Sequence, residues 1–174
     1  MIIDDNYSRC RSTGSDIYQH LDTLKHYASL CDRVTEFGVR TIVSTWALLA
    51  GGPREMMSVD IDHPMVNHAD LSAVYKGANE AGIKFTFVQK STLDIAIPET
   101  DLLLLDTLHT YDHVRQELAL HGNKAMKYII IHDTVSNPEM IPAINEFINN
   151  NPQWKIREQF YYCNGMMVLE REEH

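Results

Sequence analysis

Acidic residues and histidines follow short apolar segments in this sequence, a position from which side chains can do chemistry. The segment 101–106 reads DLLLLD, so Asp106 ends a run of four leucines, and residues 129–131 are followed by His132 and Asp133. A continuous apolar run bounded by polar residues is typical of a parallel strand buried on both faces. Because ligands of open α/β sheets bind beyond the carboxyl ends of the strands, Asp106 and Asp133 are predicted to face a common crevice.

Three other predicted strands end in groups of the same kind. These are Glu36 and Gly38 at the end of strand 34–37, Asp60 after strand 56–59, and Ser91 and Thr92 beyond strand 84–88. A carboxylate accepts two hydrogen bonds from a diol, and a glycine lets a ligand approach the backbone closely. All five positions are therefore candidate ligand contacts.

The elements that would position these residues alternate along the chain. Apolar stretches of strand length alternate with segments of helical periodicity, which predicts five βα units and an α/β fold with a mostly parallel sheet. Residues 154–169 then indicate a β-hairpin with a type I′ turn at Asn164-Gly165. Residues 1–14 are polar and are predicted to be loose on the surface, and the third helix is predicted to begin at Asn67 or His68.

Composition excludes several classes of protein. The net charge of −9 makes nucleic acid an unlikely partner, and the apolar runs are too short to cross a bilayer. The acidic start is unlike a signal peptide, and three cysteines without a C-x-x-C pair indicate free thiols, so a cytoplasmic protein is expected. Residues 1–32 are interpreted as an N-terminal segment and helix, and 33–174 as the ligand-binding domain, within one compact unit.

The first strand end resembles the first motif of class I S-adenosylmethionine (SAM) methyltransferases, a family with a Rossmann-like, mostly parallel sheet and a C-terminal antiparallel hairpin. The matching residues are Glu36-Phe37-Gly38 and Ser44, with Ile42 in place of the second motif glycine. The resemblance implies that Gly38 admits the amino-acid moiety of SAM and that Glu36 holds its ammonium group. It also implies that Asp60 binds the ribose hydroxyls. Cofactor contacts are further expected at Ser44, Ser91, Thr92 and Asp106, with the adenine at Ser91 and Thr92.

The second half of the chain resembles a smaller family that includes macrolide-sugar O-methyltransferases and cephalosporin hydroxylase-like proteins. The pattern D-x-x-x-x-D-x-x-H-x-Y matches Asp101, Asp106, His109 and Tyr111, and a strand ending in His132-Asp133 follows. The resemblance implies O-methylation of a small hydroxylated substrate such as a sugar or glycan. Catalytic roles are expected for Asp106, His109 and Asp133.

Relatives of this kind often use Mg²⁺, and the resemblance places its ligands at Asp106 and Asp133, with Thr134 where catechol-type enzymes have an asparagine. His109 is the best candidate general base, since an unperturbed histidine titrates near neutral pH. The alternative is that His109 orients Asp106 or caps the following helix, and His132 could serve as base instead. The sequence leaves the metal requirement open.

The same residues are compatible with other functions to different degrees. A non-catalytic SAM-binding or interaction module is the main alternative, favoured by Ile42 and by the small space for a substrate lid. A dinucleotide enzyme would need G-x-G-x-x-G after the first strand, which Gly38-Val39-Arg40 breaks. His109 and His113 have zinc-like spacing but no third ligand of matching pattern. The methyl acceptor and a homo-oligomeric state stay open.

Overall fold

Residues 1–172, which the computed structural model describes, form one seven-stranded sheet with helices on both faces. The strands are β1 (Arg33–Phe37), β2 (Glu55–Asp60), β3 (Lys84–Gln89), β4 (Thr100–Leu105), β5 (Ala125–His132), β6 (Trp154–Phe160) and β7 (Met166–Arg171). The helices are α1 (Ile2–Ser12), α2 (Leu21–Ala28), α3 (Val43–Ala50), α4 (Leu71–Glu80), α5 (Tyr111–His121) and α6 (Ile141–Asn150). Short 3₁₀ helices span Tyr18–His20, Pro64–Asn67, Gly122–Lys124 and Pro138–Met140. The last two residues of the predicted domain, 173–174, lie outside the described residues.

The strand order is β3-β2-β1-β4-β5-β7-β6, and among the seven strands of residues 1–172 β7 alone runs opposite to the other six. This order confirms the predicted mostly parallel sheet with a C-terminal antiparallel hairpin. The chain order reverses between β1 and β4, and a crevice opens at such a switch point, beyond the carboxyl ends of the strands.

The continuous leucine run of β4 is explained by its position in the middle of the sheet. Leu102 and Leu104 pack in the apolar core beneath α1–α4, whereas Leu103 and Leu105 pack in the core beneath α5 and α6. All four side chains are buried, because successive residues of a strand point to opposite faces and both faces are covered.

The predicted five βα units are wrong by one. Residues 90–99 connect β3 to β4 without a helix, and Ile97 of this connection is buried in the core. Ten residues including Pro98 are too few for a helix and its two turns. Four strands, β1, β2, β4 and β5, are each followed by a helix in the described chain.

The prediction of a loose N-terminal segment is also wrong. Residues 2–12 form α1, and its buried side chains Ile3, Tyr7 and Cys10 follow the i, i+4, i+7 spacing of one helix face. This face packs against α3 and α4. The polar residues around the three apolar ones hide the stripe in the sequence, because they cover the solvent side of the same helix.

The third predicted helix begins later than expected. Helix α4 begins at Leu71 rather than near Asn67 or His68, because Asp70 accepts hydrogen bonds from the N–H groups of Ser72 and Ala73 at 3.0 and 3.4 Å.

The hairpin turn lies one residue earlier than predicted. Its central residues are Cys163 and Asn164, with φ of 47° and 65°, and Gly165 N–H donates to the carbonyl of Tyr162 at 2.9 Å.

None of the helices in residues 1–172 has the length and apolar character that a bilayer span needs.

Candidate functional site

The loop after β1 passes directly over the end of β4. Gly38 has a φ of 87°, and a Cβ there would lie 1.9 Å from the carbonyl oxygen of Asp106, so no other residue fits without a backbone shift. Gly38 N–H donates to Val59 O, and Asp106 N–H donates to Phe37 O, both at 2.9 Å. The glycine therefore brings three strand ends to one point and places Asp106 in the crevice.

Ile42 keeps the backbone shape that a glycine would take. It has a φ of 58° and a ψ of 19° immediately before α3, while its side chain is buried in the core. A left-handed conformation costs an ordinary residue roughly 1–2 kcal/mol, and it is rarer still for a β-branched one. The loop thus has a left-handed residue at this position although the second motif glycine is absent.

Glu36 is enclosed behind the crevice rather than lining it. One carboxylate oxygen accepts from Ser44 at 2.6 Å, and the other accepts from Ser58 at 2.6 Å and from Thr45 at 2.9 Å. Burial raises the pKa of Glu36 to about 7, although the three hydroxyls act in the opposite direction. These contacts tie β1, β2 and α3 together, so the geometry gives Glu36 a positioning role, and its predicted contact with an ammonium group stays a prediction.

A cavity of about 410 Å³ lies beyond the ends of β1, β2 and β4. Five of the seven predicted cofactor residues line it, namely Gly38, Asp60, Ser91, Thr92 and Asp106. Its volume falls within the range of about 300–1,000 Å³ that is common for small-molecule sites. A larger cavity of about 700 Å³ between α1, α3 and α4 contains none of the seven, so the smaller one is the candidate cofactor site.

Asp60 already holds the loop that follows β1. One of its oxygens accepts from the N–H groups of Val39 at 2.7 Å and Arg40 at 3.0 Å, and the other accepts from Asp62 N–H at 3.0 Å. A carboxylate offers about four acceptor positions, so the side chain can still receive hydroxyl groups from a ligand. Asp60 thus shapes the cavity and faces it at once.

The end of the cavity at Thr92 is supported by a buried carboxylate that the sequence reasoning missed. Oε1 of Glu117 accepts from Thr92 Oγ1 at 2.6 Å and from Thr107 Oγ1 at 2.8 Å, and lies 3.0 Å from Nε2 of His113. Glu117 is fully buried, and its hydrogen bond is the main reason that the pKa of His113 is raised. The sequence signal was the pair His113 and Glu117, which are four residues apart and share one face of α5.

A cluster of two carboxylates and two imidazoles lies next to this cavity, at the ends of β4 and β5. Nε2 of His109 lies 2.9 Å from Asp133 Oδ2 and 3.4 Å from Asp106 Oδ1. Nδ1 of His132 lies 3.1 Å from Asp106 Oδ1 and 3.2 Å from Asp133 Oδ2. The structure therefore brings together all three predicted catalytic residues and His132. A hollow of about 100 Å³ at the cluster is also lined by Ser44 and Gly38.

Mutual attraction sets the charges of this cluster. Hydrogen bonds to Asp106 and Asp133 raise the pKa of His109 to about 9. Burial disfavours the charged form of His132, yet the same carboxylates raise its pKa to about 10. Burial likewise acts against ionised Asp133, but the two imidazoles hold the pKa of Asp133 well below its usual range. At neutral pH the cluster thus pairs two carboxylates with two imidazolium groups.

The cluster also has the geometry of a metal site. One ligand atom from each of Asp106, His109 and Asp133 lies within 4.8 Å of the others, which suits a single cation. Carboxylate oxygens suit Mg²⁺, and a mixed oxygen and imidazole set also suits transition metals. Thr134 is buried, and its hydroxyl has no hydrogen-bond partner within residues 1–172, so an oxygen is available beside Asp133.

Sequence comparison gives no relatives, whereas structural comparison gives many. No family model and no curated protein matches the chain. A protein from Corynebacterium glutamicum is similar with a TM-score of 0.74 at 10% identity, covering 98% of this chain and 91% of its own. An O-methyltransferase from Bacillus cereus, solved in complex with S-adenosylhomocysteine (SAH), is similar with a TM-score of 0.66 at 12% identity, covering 98% of this chain and 90% of its own.

A third similar structure is TomG from Streptomyces achromogenes, an O-methyltransferase of tomaymycin synthesis solved with SAM. It has a TM-score of 0.62 at 13% identity and covers 99% of this chain and 90% of its own. At sequence identities this low, structural similarity is evidence for the fold alone. The similar structures, together with the strand order and the crevice at the switch point, show that this chain has the class I methyltransferase fold.

Proposed function

We propose that this chain is a SAM-dependent O-methyltransferase acting on a small hydroxylated molecule. The observation that carries the proposal is the position of Asp106, which lines the 410 Å³ cavity and belongs to the carboxylate–imidazole cluster. A cofactor in the cavity and an acceptor at the cluster would therefore meet at one residue. Similar structures with bound SAH and SAM support a cofactor of this kind.

The residues around the cavity would each hold one part of SAM. Asp60 would bind the ribose hydroxyls, and Ser91 and Thr92 would contact the adenine. Gly38 and Ser44, which line the hollow at the cluster, would leave room for the amino-acid moiety. Asp106 lines both the cavity and the hollow, so the cofactor and the acceptor would be held next to the same residue.

When bound, SAM would supply an electrophilic methyl group for transfer to an acceptor oxygen, with SAH as the leaving group. The chain contributes positioning and exclusion of water. The hydroxyl proton passes to a base, for which His109 is the candidate, and a base must be neutral to accept it. The carboxylates that hold His109 charged are thus part of the acid–base control of the site.

A divalent cation such as Mg²⁺ would be held by Asp106 and Asp133 and, when bound, would lower the pKa of the acceptor hydroxyl. Asp106 and Asp133 would then have another partner for their charge, which removes the cause of the raised pKa of His109. His132, which contacts the same two oxygens, would keep the carboxylates oriented from the buried side.

The proposals for the acceptor and the compartment rest on features of the sequence. A sugar or glycan is the proposed acceptor class, since it offers adjacent hydroxyls to the cluster. A cytoplasmic location is proposed because Cys10, Cys31 and Cys163 are free thiols in the described chain.

A non-catalytic SAM-binding module is the second candidate. Two observations favour it: both carboxylates of the cluster are already paired with imidazoles, and Ile42 is strained where a glycine is expected. Such a module would bind SAM and SAH without methylating any hydroxylated acceptor. Binding with no turnover across a panel of sugars, with and without Mg²⁺, would select it.

The experiment is a calorimetric titration of SAM and SAH into the wild-type protein, Asp60→Asn and Asp94→Ala, each with Mg²⁺ and with EDTA. Asp94 is exposed and lies outside the cavity, so its variant is the control. Micromolar binding that Asp60→Asn weakens and Asp94→Ala retains supports the cofactor site. Absence of binding by the wild type in every condition would overturn the proposal.

A further inference from the structure

His113 is fixed at the wall of the 410 Å³ cavity by a carboxylate beneath it. Its Nε2 lies 3.0 Å from Oε1 of Glu117 and 3.4 Å from Thr92 Oγ1. Glu117 is fully buried, and its Oε1 accepts hydrogen bonds from two threonine hydroxyls and from this imidazole. The ring of His113 is therefore held in one orientation.

The other ring nitrogen is left for a ligand. With Nε2 engaged by Glu117, Nδ1 of His113 has no hydrogen-bond partner among residues 1–172, and the side chain lines the cavity with an exposed fraction of 18%. An imidazole nitrogen of this kind forms one directional hydrogen bond, as an acceptor when bare and as a donor when protonated.

Neighbouring side chains at this end of the cavity are already engaged. The hydroxyl of Thr92 donates to Glu117, and the hydroxyl oxygen of Ser91 accepts from Leu93 N–H at 3.2 Å. The carboxylate of Asp60 is held at the opposite side by the loop after β1. His113 is thus the side chain at this end of the cavity that is best placed to form a selective hydrogen bond with a ligand.

We propose that His113 is a specificity-determining residue that hydrogen-bonds the Watson–Crick edge of the adenine base, and that Glu117 is the positioning residue that orients it. This inference rests on the proposed SAM-dependent function. Oε1 of Glu117 is an acceptor, so Nε2 of His113 donates to it, and the neutral ring then presents a bare Nδ1. This nitrogen accepts a hydrogen bond from the 6-amino group of adenine, whereas hypoxanthine has a carbonyl oxygen at position 6 and would set one acceptor against another.

The test compares the dissociation constants of SAH and S-inosylhomocysteine for wild type, His113→Phe, Glu117→Gln and the control His26→Phe, all checked by thermal melting. His26 is an exposed residue of α2, far from the cavity. Wild type and the control are expected to prefer SAH by roughly tenfold to a hundredfold, the range for one lost hydrogen bond in a buried site. The preference is expected to fall below about threefold in His113→Phe and to an intermediate value in Glu117→Gln.

A second measurement does not depend on a variant that folds. In ¹⁵N-histidine NMR of the wild type, SAH is expected to shift the Nδ1 resonance of His113 and S-inosylhomocysteine to leave it unchanged. Equal affinity of wild type for the two ligands, or an undiminished preference in a folded His113→Phe, overturns this inference alone. Failure of wild type to bind either ligand overturns the proposed function and this inference with it.

Discussion

Two neighbouring regions at the carboxyl edge of the sheet bury carboxylates in opposite ways. Around the crevice of β1 and β2, Glu36 and Asp60 are satisfied by hydroxyls and backbone N–H groups. At the ends of β4 and β5, Asp106 and Asp133 are satisfied by imidazoles. The pKa of Glu36 is consequently raised by burial, whereas that of Asp133 is lowered although burial acts against it.

The difference shows how one fold can separate shape from reactivity. Neutral donors hold the loop of the crevice without adding a titrating cation, so they fix its geometry. Ionisable partners hold the cluster through charges that a proton, a cation or a substrate can change. We therefore expect substitutions in the crevice to lower the stability of the fold. Substitutions in the cluster should instead change how its side chains titrate with pH.

The largest effect is expected where the two regions touch. Gly38→Ala forces a Cβ into the carbonyl of Asp106 and should destabilise the protein by about 3 kcal/mol or more, with both regions displaced together. Urea denaturation measures the change. Gly14→Ala is the matched control, because a Cβ at Gly14 has no neighbour within 4 Å. Equal stability of the two variants would contradict the close approach at Gly38.

The next largest effect is expected in the pH dependence of the free energy of unfolding, through Glu36. A pKa of about 7 for folded Glu36, against 4.5 when unfolded, means that the folded state binds the extra proton. Stability from this group is therefore present below pH 4.5 and lost as pH rises through about 7, by about 3 kcal/mol in total. Glu36→Gln should remove this part of the pH dependence of unfolding. A slope unchanged from wild type between pH 5 and 7 would show that Glu36 is not the group responsible.

A third prediction tests the cluster. Asp133→Asn removes one carboxylate from His109 and His132, whose pKa values of about 9 and 10 should both fall toward 6.5. Raised histidine pKa values stabilise the fold below pH 6.5, and this stabilisation is lost as pH rises through 9 to 10, so the variant should show a smaller loss over that range. Histidine NMR titration measures both values. Unchanged values in Asp133→Asn would refute the charge pairing.

The smallest effect is expected at Ile42, which stands where the resemblance places the second motif glycine. Ile42→Gly relieves the left-handed strain but loses a buried side chain, whereas Ile42→Ala loses the side chain and keeps the strain. The glycine variant should therefore be the more stable of the two by about 1 kcal/mol, the reverse of their usual order near a helix. Thermal unfolding compares them directly. If the alanine variant is the more stable, the left-handed conformation is not under strain.

Local pattern was sufficient where neighbours in sequence are also neighbours in structure. The run of leucines before Asp106 and the segment before His132 and Asp133 predicted central strands, because a strand covered on both faces must be apolar at every position. Since the ends of parallel strands meet at one edge, Asp106 lines one cavity with Gly38 and Asp60, and its carboxylate lies within 4.8 Å of that of Asp133.

The remaining features depend on partners that are distant along the chain. Thr92 and Glu117 are 25 residues apart and meet only after β4 and α5 are in place, so their hydrogen bond has no local signal. Likewise, the stripe of α1 becomes meaningful only against α3 and α4. The sequence by itself determined which residue types stand at the strand ends. Tertiary structure decided which of them face the cavity, which are enclosed, and what charge they carry, because burial and hydrogen-bond partners are set only when the layers pack.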